Sequence, residues 1–318
     1  METRSGIPQE DWDEKLIKLN GHFLQSRAWA SFQTALGKDV FYCTGEDWLW
    51  LAISQRAKFL KYLYIPYGPT VASEKGLDEA LESIKKFARE NKYDFIRFEP
   101  NGSFNQSVLA QKYTPSKEVQ PETTSVLNLI PDKEDLLANC DTGHRSRIRH
   151  AGEKNIAVAE STSDKDIDDY LEMHHQTISR AGIKSFGDSY YRTLINVLGK
   201  SNNAKLYFAT IDNKKIASAI VFDFNDTRYY AFAAADQELN RQTHCAVVLL
   251  WQLIVDAKDE GRKNFDFWGV APEGAINHPW SGLSSFKRGF GGTDKKYSGT
   301  WDLAINTAKY RMYSLLKR

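Results

Sequence analysis

One order of elements occurs twice in this chain, and that repetition limits the fold more than any single motif does. The first copy begins with Val40–Thr44, a Gly45–Glu46–Asp47 turn and Trp48–Gln55, which read as a hairpin. Leu60–Ile65 is a third strand, closed by Pro66, Tyr67, Gly68 and Pro69. An amphipathic helix is predicted over Leu77–Asn91, with Leu77, Leu81, Ile84 and Ala88 on one stripe, and Tyr93–Glu99 follows as a strand. The second copy places strands at Lys205–Thr210, Ile216–Phe224 and Thr227–Ala234, a helix at Ala246–Glu260 and a strand at Asn264–Trp268. Three meandering strands, one helix and one more strand, twice over, predict an α/β chain of the α+β type. Its two domains are similarly built, each on a mixed sheet. A duplicated fold is expected to hold its site in the cleft between the halves.

With 318 residues, 42% of them hydrophobic, the chain has ample apolar side chain for two cores. A net charge of +1 gives no global footprint for nucleic acid, so any such contact must come from a local basic strip. Cys43, Cys140 and Cys245 are far apart and odd in number, which fits a reducing cytoplasm rather than a disulfide framework or a metal site. The segment METRSGIPQEDWDEKL is acidic and polar, with no apolar signal stretch, and no run is long and apolar enough to span a bilayer. A cytoplasmic protein is expected, one that would meet any lipid-linked substrate from the cytosolic side.

Between the copies, Gln111–Thr123 reads as a linker, Val126–Ile130 as a strand and Asp132–Asn139 as a short helix capped by Asp132. The one concentrated basic stretch is His144–Lys154, HRSRIRHAGEK. On a helix Arg145 and Arg149 share a face, and together with Arg147 they form either a phosphate-binding strip or a solvated surface helix. His174 and His175 are adjacent on the helix predicted at Ile167–Ser179, pointing about a quarter-turn apart. Without a companion ligand at suitable spacing they make a poor zinc pair. No metal is expected.

The most distinctive stretch is Asn264–Gly292, NFDFWGVAPEGAINHPWSGLSSFKRGFGG. Phe265 and Phe267 alternate with Asp266 and Trp268, so the strand has one apolar face and one carrying a carboxylate and an indole. A turn-rich loop holding Glu273, Asn277, His278 and Trp280 leads to Phe286, Lys287 and Arg288, and Gly289, Gly291 and Gly292 close the run. Lys287 is then either an ordinary solvated hairpin lysine or a fixed positive charge facing a cleft.

This order of residues resembles the C-terminal signature of the Fem family of peptidoglycan-bridge aminoacyl transferases. The FLQS…W pattern at Phe23–Trp29, the Pro66-Tyr67-Gly68-Pro69 turn and the RSRIRHAGEK segment are similar to further family motifs. The likeness runs from about His22 onward and is to the short members that lack a helical arm. It implies two tandem acetyltransferase-like (GNAT-like) domains, with boundaries expected at residues 1–130 plus 300–318 and at 131–299. It implies aminoacyl-tRNA as co-substrate, with no other cofactor, and a nucleotide-linked (UDP) or lipid-linked peptidoglycan precursor as acceptor. Peripheral contact with the inner membrane face is compatible with it, and no stable protein partner is implied. The family's active-site phenylalanine–lysine pair corresponds to Phe286 and Lys287. Trp29, Gln33, Tyr67 and Tyr190 stand at positions that line the acceptor site, and Arg145, Arg147 and Arg149 fall toward phosphates. Two departures matter: Gln33 stands where some members carry a diphosphate-binding lysine, and Phe186 where some carry a phosphate-binding arginine.

The resemblance therefore implies a non-ribosomal peptidyltransferase, in which a stem-peptide amine attacks the ester carbonyl of aminoacyl-tRNA. Lys287 would stabilise the developing oxyanion, and no general base stands out. A second reading is an acyl-CoA-dependent N-acetyltransferase on the same fold. That class binds pyrophosphate on backbone amides through a (Q/R)xxGx(G/A) loop, whereas Arg241–Ala246 here is RQTHCA, with His244 in place of the central glycine. A third reading is a tRNA- or precursor-binding relative without transfer, against which the retained Lys287 argues.

Overall fold

The computed structural model describes every residue except 1, 103, 162, 164, 182–184, 276, 317 and 318. Residues 182–184, shortly before Tyr190, and Lys317 thus lie outside the described residues. The chain forms two compact units, Met1–Glu122 with Lys296–Arg318, and Thr123–Lys295.

Up to Glu122 the chain contributes strands β1 (Arg4–Ser5), β2 (Val40–Thr44), β3 (Trp48–Ala57), β4 (Leu60–Ile65), β5 (Thr70–Val71), β6 (Phe95–Phe98) and β7 (Thr114–Pro115). Its helices are α1 (Trp12–Lys18), α2 (Arg27–Ala35), α3 (Glu74–Glu90) and α4 (Gln106–Lys112). The middle of the chain supplies β8 (Thr123–Asn128), β9 (Ile156–Glu160), β10 (Ala204–Ile211), β11 (Lys214–Phe224), β12 (Thr227–Ala235), β13 (Asn264–Gly269) and β14 (Thr293–Lys296). Between them run α5 (Lys133–Asn139), α6 (Thr142–Arg149), α7 (Asp166–Ala181), α8 (Asp188–Lys200), α9 (Gln237–Thr243), α10 (Cys245–Asp259) and α11 (Ser281–Arg288). β15 (Trp301–Ala304) and α12 (Thr307–Leu315) complete the first unit.

The first sheet runs β1-β2-β3-β4-β6-β15-β7, with β5 on β3, and the second runs β14-β8-β13-β12-β11-β10-β9. Both are mixed, for the same reason. A meander of antiparallel strands ends in a helix, and the helix carries the chain over to a parallel strand: α3 between β4 and β6, α10 between β12 and β13. A parallel pair needs such a crossover, so the repeated strand–helix–strand order in the sequence is its direct trace. Ser73 caps α3 by accepting from Gly76 N, and Leu77, Ala80, Leu81, Ile84 and Ala88 are buried against the sheet. α10 is apolar nearly all round because it lies on β10 and β11 with α6 beside it. Its Leu249, Leu250, Leu253 and Ile254 are each fully buried, roughly 1.5–3 kcal/mol apiece.

One expectation is corrected. The strand read at Val126–Ile130 and counted with the first domain is β8, which pairs with β13 in the second sheet, so the division falls at Glu122/Thr123. The stretch His22–Gly37 holds two helical pieces. Phe23–Gln25 form a 3-10 turn, Ser26 caps α2 by accepting from Trp29 N, and Gln25 therefore does not share a helix face with Trp29 and Gln33. The basic helix ends at Arg149, and after a 3-10 turn Asn155 adopts a left-handed conformation (φ 53°). Asparagine tolerates that region better than most residues with a side chain.

Candidate active site

The second unit's signature stretch is built around the end of β13. Phe265 and Phe267 enter the core with Phe290, while Asp266 on the other face is also buried, 3% exposed. Trp268 takes a positive φ of 63°, and the strand terminates at Gly269. After the loop, Ser281–Arg288 form α11. Ser284 Oγ accepts from Ala271 N and donates to Trp280 O, both at 2.7 Å, which fastens the helix to the strand's exit.

That fastening decides the position of Lys287. It sits in the last turn of α11, 5% exposed, with Nζ donating to Gly269 O at 2.7 Å. The solvated-hairpin alternative is thereby replaced by a buried helical lysine. Burial pushes its ammonium down to about 8, and the Asp266 carboxylate holds it from falling further. Burial likewise raises Asp266 to about 6, against the pull of Trp268 N–H, Lys295 and Lys287. Near neutral pH both groups are charged. Among the described residues Gly269 O is the hydrogen-bond partner of Lys287, which accounts for one of its three N–H donors.

The glycines after Lys287 allow close approach. A Cβ on Gly289 would stand 2.5 Å from Asp141 Oδ2 and 2.6 Å from His144 Cε1, and one on Gly292 would stand 2.6 Å from Ser125 Oγ. Asp141 N donates to Gly289 O at 2.7 Å, and His144 lies against Phe286 and Phe290, with ring centroids 5.5 and 4.6 Å away. His144 Nδ1 is 2.8 Å from Asp141 Oδ2 but outside hydrogen-bond geometry. The start of α6 is thus docked on the end of α11. Gly289→Ala should lower stability by about 1–3 kcal/mol, since His144 has no room to retreat. Gly282→Ala, whose Cβ would meet open space within the same helix, should be neutral or stabilising by up to about 1 kcal/mol. Thermal unfolding of the pair tests the contrast.

The other predicted residues of the second unit differ in setting. Phe286 is half-buried beside His144. Arg145, Arg147 and Arg149 are not equivalent: Arg145 Nη1 donates to Ala138 O and Cys140 O, capping the end of α5, while Arg147 and Arg149 are exposed. Tyr190 is half-buried, its ring stacked 3.9 Å from Phe186, and burial keeps its hydroxyl proton on well above the usual tyrosine range. Phe186 itself is 55% exposed. His174 Nε2 lies 2.7 Å from Ser185 Oγ and His175 Nε2 2.7 Å from Asp188 Oδ1, so the two rings turn to different partners.

Trp29, Gln33 and Tyr67 belong to the first unit. Trp29 and Gln33 are buried in α2, Trp29 packed on Phe23 and Phe32. Tyr67 is also buried. Its ring meets His22 and Tyr297 at 4.3 and 4.5 Å, and its hydroxyl donates to Pro121 O at 2.8 Å. That hydroxyl is engaged by the protein's own backbone. Gln25 holds the turn: Nε2 donates to Pro66 O (2.8 Å) and Leu51 O (3.1 Å), and Oε1 accepts from Leu51 N (2.8 Å). Glu99, raised by burial to about 7, accepts from Tyr64 Oη, Gln120 N and Thr300 Oγ1 behind the same turn.

Sequence reasoning missed Asp266 and the Asp141–His144 pair as parts of this arrangement. Asp266 stood in plain view as the polar residue of the strand. What hid it is that its cation, Lys287, comes from a separate helix.

Residues 11–120 match the model of the FemAB family, and residues 139–288 match that of the acetyltransferase (GNAT) domain. The Lipid II:glycine glycyltransferase of Staphylococcus aureus (strain USA300) is 21% identical over 270 residues, 78% of this chain and 63% of the relative. The chain thus spans less than two thirds of the curated relatives it matches. Among solved structures, that of FemX superposes with a TM-score of 0.84 at 17% identity, covering 98% of this chain and 99% of FemX. A tandem GNAT protein from the clavulanic acid biosynthesis pathway gives a TM-score of 0.55 at 12% identity, covering 96% and 99%. Tandem GNAT-like architecture alone is therefore shared by proteins of different kinds. The FemAB match on the first unit, the glycyltransferase relatives and the whole-chain likeness to FemX agree in pointing to the Fem family.

Proposed function

We propose that this chain transfers an amino acid from aminoacyl-tRNA to the stem-peptide amine of a peptidoglycan precursor. The carrying observation is Lys287, a buried lysine that is charged at neutral pH and held by a backbone carbonyl. The kinship with Lipid II:glycine glycyltransferases supports the substrate class. In the reaction the amine nitrogen forms a bond to the ester carbonyl carbon, and negative charge develops on the carbonyl oxygen. The ester C–O bond then breaks, and the proton lost by the amine ends on the departing ribose hydroxyl. Lys287 meets the oxyanion, an interaction stronger in the transition state than before it. Trp29, Gln33, Tyr67, Phe286 and Tyr190 are proposed to bind or shape the acceptor side, Tyr67 through its place in the turn. Among the described residues no helix is long and apolar enough to cross a membrane. A lipid-linked acceptor would be met peripherally.

The acyl-CoA reading has the GNAT-domain match in its favour. The start of α10 speaks against it. His244, at φ 61°, caps the helix, Ala246 N donates to Asn240 Oδ1 at 2.8 Å, and Val247 N donates to His244 O at 3.0 Å. Two of the backbone amides at that helix start are thus already used. The test offers mixed aminoacyl-tRNAs with UDP-linked and lipid-linked precursors, and in parallel acetyl-CoA with varied amines, read by mass spectrometry. Aminoacylated precursor supports the proposal; acetylated amine without it overturns the proposal.

The basic helix gives a further expectation. Replacing Arg147 and Arg149 by alanine should weaken aminoacyl-tRNA or precursor binding and flatten its dependence on log salt by about one to two units. Thermal stability should stay unchanged. Arg145→Ala should instead lower stability, by about 1 kcal/mol, because it uncaps α5. An unchanged salt slope in the double variant returns the strip to plain surface.

A further inference from the structure

We propose that Asp266 is the positioning residue for Lys287: it fixes the bent end of β13 that aims the Gly269 carbonyl at the ammonium, and it places a negative charge beside that ammonium in the core. The catalytic meaning of this inference rests on the transfer reading above; its structural half does not.

The geometry begins in the β13–β8 ladder. Asp266 stands opposite Val126, but Gly269 stands opposite Thr124, so three steps along β13 match two along β8. The extra residue is a bulge, a device that bends a strand and re-aims the residues beyond it. It falls at Trp268, whose φ of 63° is a region that a bulky side chain rarely occupies. Asp266 Oδ1 accepts from Trp268 N at 2.8 Å, closing the bend from within the same strand. The next carbonyl, that of Gly269, is the one that receives Lys287 Nζ. Two residues of bent backbone therefore link the carboxylate to the lysine.

The charges agree with the geometry. A buried carboxylate needs cations or donors around it, and Asp266 has the Trp268 amide, Lys295 from β14 and Lys287 from α11. The neighbouring polar side chains are committed elsewhere. Arg288 is paired with Asp294 and donates to Ala271 O, and His144 lies against Asp141. Removing the Asp266 charge would leave the Lys287 ammonium buried without the carboxylate that opposes its desolvation, so the ammonium would release its proton at lower pH.

The test follows the Lys287 side chain by NMR of lysine-labelled protein, its signal assigned through Lys287→Ala. In the unaltered protein the titration centred near 8 should carry a smaller step near 6, where Asp266 takes up its proton. Asp266→Asn keeps an acceptor for Trp268 N but no charge. It should move the Lys287 midpoint down by about one pH unit or more, move the basic limb of kcat with it and leave KM within about threefold. Asp266→Ala also loses the acceptor, and its kcat should fall about tenfold further through misplacement of the ammonium. A Lys287 midpoint unmoved by Asp266→Asn overturns the inference. Should that variant not fold, a single-step titration in the unaltered protein overturns it equally. If the unaltered protein transfers no amino acid while the midpoint shifts as expected, the transfer reading fails and the pairing stands. If transfer is robust and the midpoint is insensitive to Asp266, the pairing fails alone.

Discussion

Lys287→Ala is expected to lower kcat by about two to three orders of magnitude while leaving precursor affinity within a few-fold. One donor aimed at a developing oxyanion contributes on that scale, and its effect appears in the transition state rather than in ground-state binding. Lys287→Arg keeps the charge but not its geometry, so partial activity should remain. Lys75→Ala, at an exposed position of α3, is the control and should change nothing measurable. The pH dependence has a definite sign. The oxyanion role needs the ammonium, so kcat should fall as pH rises through about 8, where Lys287 loses its proton.

Stability moves the other way, which separates catalysis from folding. Burial lowers Lys287 from 10.5 to about 8. Between those values the unfolded chain binds more protons than the folded one, so this group's contribution to stability improves as pH rises across the window. The penalty is fully present below about 8. A neutral side chain of similar length removes a penalty on the order of 3 kcal/mol, offset by the lost hydrogen bond to Gly269 and the lost pairing with Asp266. Lys287→Met should therefore be no less stable than the unaltered protein at pH 7 and equally defective in kcat. A near-normal kcat in a folded Lys287→Met protein would remove the catalytic assignment.

Most of the fold was legible because it rests on local patterns. The α3 stripe of Leu77, Leu81, Ile84 and Ala88 and the strand–turn–strand runs around Asp47 and Asn225 each declare themselves within a few residues. The crossover helices α3 and α10 then fix which strands must lie parallel. What was not legible depends on partners distant in sequence. Nothing in HRSRIRHAGEK shows that Arg145 turns back to Ala138 and Cys140, or that His144 is buried against Phe286 and Phe290. Val126 carried no mark of the sheet it joins, because a strand's side-chain pattern names its faces and not its neighbours. At the candidate site the lysine was legible through its motif. Its burial, its carbonyl and its carboxylate were not, since all three depend on how α11 closes over the bulge at Trp268.

Asp302→Ala should be among the most destabilising single substitutions in the first unit, at about 3–5 kcal/mol. Asp302 and Arg97 stand directly opposite each other on β15 and β6, and both are buried. The pair is bidentate, with Nε to Oδ1 and Nη2 to Oδ2 each 2.7 Å, and Tyr310 Oη donates to Oδ2 at 2.8 Å. Burial opposes the Arg97 charge, and Asp302 more than restores it. Deleting the carboxylate leaves a guanidinium in the core with no anion and strands the Tyr310 hydroxyl, and breaking such a pair from one side costs several kcal/mol. Arg97→Met combined with Asp302→Leu removes both charges and keeps the volume, so most of the stability should return. Tyr310→Phe, losing one hydrogen bond to a carboxylate, should cost about 1–2 kcal/mol. Urea unfolding of the four proteins decides the matter: a loss below about 1 kcal/mol in Asp302→Ala, or a double variant as unstable as that single one, rejects the pair as what holds β15 in its sheet. The transfer chemistry supplies a second check. Arg97, Asp302 and Tyr310 have no assigned part in it, so the folded fraction of each variant should turn over at the unaltered kcat.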